Sequence, residues 1–113
     1  EREIRAVIID GLSINFLDST AVEELQEVVG TLREWGIEIH FTGLTGPVRE
    51  VVERSGLGEF VGEDHFHIAP HYAVLDVLDR WDERAGGNRA ERYWRSTQQP
   101  RDEVEPTSES KFI

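Results

Sequence analysis

Cysteine and methionine are both absent from these 113 residues. The lack of cysteine excludes disulfide staples and thiolate chemistry within this segment. The lack of methionine, with glutamate in first position, makes the chain read as an excerpt or a processed product. Long apolar runs are missing as well: no stretch reaches the roughly 18–20 residues of a membrane span. No basic, apolar leader stands at the front, so no secretory signal is expected in this segment. Familiar catalytic motifs are lacking too, with no nucleophile elbow, P-loop, GxGxxG or HExxH. The segment is therefore expected not to be an enzyme.

Basic residues are scarce, 12 against 23 acidic ones, and the imbalance is local. Residues 1–83 carry 18 acidic and 6 basic side chains, whereas residues 84–113 carry 5 and 6. An acidic body repels a phosphate backbone before contact, which excludes nucleic acid as a partner. Length suits one domain. The patterning places it over residues 1–83, with 84–113 as a flexible tail rich in polar residues and broken by Gly86, Gly87 and two prolines. Within that tail RAGGNRAERYWR (84–95) sets four arginines beside Tyr93 and Trp94, a mixture suited to anionic lipid or a partner surface, though a solvated linker is the expected state.

What is present reads as alternating strands and helices. IRAVIID (4–10) is an apolar, β-branched run without helical spacing, expected to be a strand buried on both faces. From Thr20, the residues Val22, Leu25, Val28, Val29 and Leu32 make a helical stripe opposed by Glu23, Glu24, Glu27 and Glu34. Thr20 and Glu23 have capping-box spacing, and Gly36 is placed to end the helix. IEIHFTGL (37–44) alternates as a strand does. A second helix starts at Pro47 and closes at Ser55-Gly56. Leu57 and Phe60-Val61 return briefly to the core, 62–72 is polar and irregular, and Ala73, Val74, Val77, Leu78 and Trp81 mark a last helix. Trp35 and Trp81 are expected in the core. Such an order implies α/β packing through right-handed crossovers. Two strong strands make too thin a sheet, so further strands are expected upstream of Glu1.

Between the first strand and the first helix lies NFLDSTAVEEL (15–25). Asp, Ser and Thr are the residues that satisfy free amides at a helix start, and on composition alone Asp18, Ser19 and Thr20 read as a cap. Gly43, Thr45 and Gly46 precede the second helix and could present amides to an anion or nucleotide, although a plain turn is the favoured reading. His65, His67 and His71 have spacing that invites a metal test. With no cysteine and no helix expected to pair histidines at i, i+4, they read as loop-packing residues, so no metal and no cofactor is expected.

AVIIDGLSINFLDSTAVEEL resembles the core motif of STAS domains, found in bacterial anti-sigma-factor antagonists and in the cytoplasmic tails of SulP-type anion transporters. The resemblance runs on through LTGPVREVVERSGLGEFVGEDHFHIAPHYAVLDVL (44–78), where the GPVR and GEDHF segments are similar to the transporter branch. It implies a mixed sheet with helices packed against it, the N-terminal strands of the fold being missing here. It further implies a regulatory domain at the cytoplasmic face of the inner membrane, joined to the membrane transport domain of the same polypeptide, with a homodimer forming through the full-length protein. In the antagonists the serine after the motif's Asp is phosphorylated by a partner kinase, and that position corresponds to Ser19. A free-standing antagonist and a nucleotide-binding regulatory module are the alternative readings. One departure stands out: the family often has glycine where this chain has Ala21.

Overall fold

The computed structural model describes residues 3–98. They divide into two compact units, the boundary between Ala73 and Val74 falling inside a helix.

The first unit is built on three strands, β1 (Ala6–Asp10), β2 (Glu38–Thr42) and β3 (Phe66–His67), in the order β1-β2-β3. Helix α1 (Ser19–Glu34) links β1 to β2. Helices α2 (Gly46–Ser55) and α3 (Leu57–Val61) lie between β2 and β3. Both described pairings are parallel, each joined by a helical crossover. The register sets Ile8 beside His40 and Ile9 beside Phe41, then Phe41 beside Phe66 and Thr42 beside His67.

Among the described strands β1 stands at an edge, and this corrects the expectation of a strand buried on both faces. Ala6 to Ile9 are half-buried and Asp10 is exposed. The central strand β2 is the deeply buried one, with Ile39, His40, Phe41 and Thr42 all enclosed. The core gathers Val22 and Val29 of α1, Ile39 and Phe41 of β2, Val48 and Val52 of α2, and Leu57 and Val61 of α3. Burying each of these apolar side chains is worth about 1.5–3 kcal/mol.

Helix α1 ends in a Schellman motif. Ile37 N donates to Leu32 O at 2.8 Å and Gly36 N to Arg33 O at 3.0 Å. Gly36 takes φ +75°, a left-handed conformation that glycine adopts without a Cβ penalty. Trp35, placed in the core from its sequence, instead caps this helix with 69% of its surface exposed. The irregular stretch expected over 62–72 contains the two-residue strand β3, preceded by a 3₁₀ turn at Glu63–His65.

Helix α4 (Pro70–Ala85) carries the chain into the second unit, where α5 (Arg89–Thr97) follows. This helix occupies part of the stretch expected to be a flexible tail. Asn88 stands at its N-cap without a side-chain cap bond. The missing cap is supplied by Asp82, whose carboxylate accepts from the amides of Arg89 (3.1 Å) and Ala90 (3.0 Å) and from the Arg89 guanidinium (2.9 Å). The guanidinium also lies 4.3 Å from the centre of the Trp81 ring, a cation–π contact that places this tryptophan at half burial.

Candidate docking site

The site is assembled where β1 hands over to α1. Gly11 begins a 3₁₀ turn, Gly11–Ser13, hinged on the Asp10 carboxylate, which accepts from Leu12 N at 3.1 Å. Gly11 has to be glycine, because a Cβ there would stand 2.6 Å from the Thr42 carbonyl oxygen and 2.5 Å from a Leu44 methyl. The close approach locks the turn against the end of β2. Beyond it Leu17 is drawn into the core, while Leu12 and Phe16 point outward with 67% and 75% of their surface exposed. Two large apolar side chains are thus displayed within a few residues of each other along the chain.

Asp18 is the N-cap of α1. Its carboxylate accepts from Ala21 N at 2.8 Å, and its carbonyl accepts from Val22 N at 2.9 Å. The capping box expected from Thr20 and Glu23 is not the one used, since the helix starts two residues earlier and Asp18, with its charge at the positive end of the helix dipole, takes the role. Ser19 and Thr20 are therefore the first two helical residues, and both are exposed. Ala21, the departure from the family pattern, is half-buried against the core, where its methyl finds a place.

Beside Ser19 a groove of about 500 Å³ runs between α1 and α2. Ser19, Val22, Glu23 and Gln26 form one wall, and Val51, Arg54 and Ser55 form the other. Hydroxyls, one cation and one carboxylate thus surround an apolar floor. Arg54 is held at the rim by Glu50, 3.7 Å away, in an exposed pair that contributes little to stability.

Gly43, Thr45 and Gly46 lie apart in sequence from this groove, between β2 and the start of α2. Gly43 adopts φ +64°, and its amide donates to the carbonyl of His67 at 3.0 Å. Thr45 is the N-cap of α2 without a side-chain cap bond, and Pro47 in the first turn has no amide to offer. An anion at this helix start would thus find two of the nearby amides unavailable.

The histidines are organised by a residue that the sequence reading passed over. His40 is fully buried on β2, its Nδ1 2.9 Å from His67 Nε2 and its Nε2 2.8 Å from Glu38 Oε1. The His65 ring stacks on His40 at 4.3 Å, and its Nδ1 donates to Ile39 O at 2.7 Å. His71 sits edge-on to Tyr72 instead. The missed signal was alternation: in EIHFT, Ile39 and Phe41 point to the apolar core, so His40 shares the opposite face with Glu38 and Thr42.

Comparison with known families gives one match. The model described as the STAS domain covers residues 1–74. Among curated proteins none matches the chain.

Proposed function

The chain belongs to the STAS domain family, and from that premise we propose that it acts as a regulatory docking module, working through the surface formed by Leu12, Phe16, Ser19 and the adjoining groove. The observation that carries this reading is the outward display of Phe16 and Leu12 next to an exposed helix start. A partner that buries two such side chains gains about 1.5–3 kcal/mol from each before ordering costs. The module binds and does not catalyse.

Within the family, the GPVR (46–49) and GEDHF (62–66) segments favour the C-terminal cytoplasmic domain of a SulP-type transporter of sulfate or a bicarbonate-like anion. In this reading the partner is the membrane transport domain of the same polypeptide. None of the helices among the described residues is long and apolar enough to cross a membrane, so any transport path belongs to other segments.

A second reading, a free-standing anti-sigma-factor antagonist, is favoured by one feature of α1. The cap is carried by Asp18, which leaves Ser19 with no capping duty and exposed to a kinase. A phosphate there would add about −1.5 to −2 charges beside Asp18 and Glu23 and expel an acidic or apolar partner.

The coding sequence upstream of Glu1 separates the two. About ten apolar segments of roughly 20 residues each support the transporter domain. A short upstream stretch of a few strands and a helix overturns it in favour of the antagonist.

A further inference from the structure

The polar face of β2 gathers more ligating chemistry than packing requires. Glu38, His40 and His65 bring one carboxylate and two imidazoles together, their ligating atoms all within 4.8 Å of one another. Both imidazoles have a hydrogen-bond partner at Nδ1, as metal-ligating histidines do. His65 donates its Nδ1–H to Ile39 O at 2.7 Å, which fixes the tautomer and puts the ring's lone pair on Nε2. His40 has a second imidazole, His67, 2.9 Å behind its Nδ1, able to accept that proton while Nε2 faces Glu38. Access exists as well. Glu38 and His65 line a cavity of about 190 Å³ beside α1. Arg33 lines it too, but its guanidinium is engaged by the carbonyls of Phe60 and Val61 and by the Phe60 ring, 4.9 Å away.

We propose that Glu38, His40 and His65 bind a divalent transition cation, with zinc the best match to one carboxylate and two imidazoles. The ion would take the place of the direct contact between His40 Nε2 and Glu38 Oε1, now 2.8 Å apart. Binding also requires one rearrangement. The His40 and His65 rings are now 4.3 Å apart and only 4° from parallel, and in-plane lone pairs of two stacked rings cannot converge on one ion. His65 therefore has to tilt out of the stack before its Nε2 and that of His40 can converge on one ion.

The test is calorimetric titration of Zn²⁺ into the full chain without a histidine tag, with Glu38→Gln, His65→Gln and His71→Ala alongside. One ion per chain is expected, with affinity at least about tenfold weaker in the first two variants and unchanged in the third. Circular dichroism checks that each variant is folded. Should either of the first two fail to fold, imidazole ¹⁵N shifts of the unaltered protein decide: zinc has to move the Nε2 resonances of both His40 and His65. Absence of saturable binding, binding undiminished in both variants, or shifts confined to His71 would overturn the proposal.

Discussion

The carboxylate of Asp18 and the amide of Ala21 are 2.8 Å apart, and this one bond gives the capping duty of the motif to Asp18 and not to Ser19. Asp18→Ala should cost about 1 kcal/mol in urea unfolding, whereas Asp18→Ser should retain most of it. Ser19→Ala, which touches no cap, should stay within about 0.5 kcal/mol of the parent. Equal losses at Asp18 and Ser19 would assign the serine to the cap after all.

The turn at Gly11 gives a second expectation. Gly11→Ala forces a Cβ to 2.6 Å from a backbone oxygen, a neighbour that cannot swing aside as a side chain can. A loss of about 1–3 kcal/mol is expected in chemical denaturation, the range of an overpacked site. A neutral result would mean that β1 and β2 can separate at this end without penalty.

Core and surface should respond in opposite ways. Leu57, only 1% exposed, should lose about 2–5 kcal/mol on replacement by alanine. Phe16→Ala, at 75% exposure, should leave stability within about 0.5 kcal/mol and reduce partner binding instead. A large stability loss at Phe16 would remove it from the docking surface.

Helix α5 should be sensitive to acid through Asp82. The amide of Ala90 is the main cause that holds this carboxyl below its ordinary value, opposed by desolvation and aided by the amide and guanidinium of Arg89. A depressed folded-state value means that the contribution is complete above the unfolded value of about 3.9 and disappears as pH falls through the folded one. Amide exchange at Arg89 and Ala90 should therefore accelerate only below about pH 4, and Asp82→Asn should flatten that dependence. Fraying of α5 at neutral pH in the unmodified chain would contradict the cap.

Much of this was legible in the sequence, for reasons that can be stated. The α1 stripe, the Gly36 stop and the two longer strands follow from local periodicity, which survives folding. Trp35 was misjudged because it shares a bearing with Val28, seven residues earlier, and Val28 is one residue, about 100°, away from the buried Val29. Leu25 and Leu32 lie between the two bearings, so the stripe looks continuous on paper while only one side of it reaches the core. The α5 helix was missed because its cap comes from Asp82, outside the local window. His40 was overlooked because its partners, His65 and His67, are 25 and 27 residues away and meet it only when β3 joins β2.

The two-faced character of β2 also guards against mispairing. A slip of one residue would exchange the faces, carrying His40 and Glu38 into the aliphatic interior and Phe41 among the imidazoles. Both displacements are unfavourable, the first because buried polar groups lose their partners. His40 is in this sense a key cut for one lock: the pairing that satisfies it is also the one that closes the core.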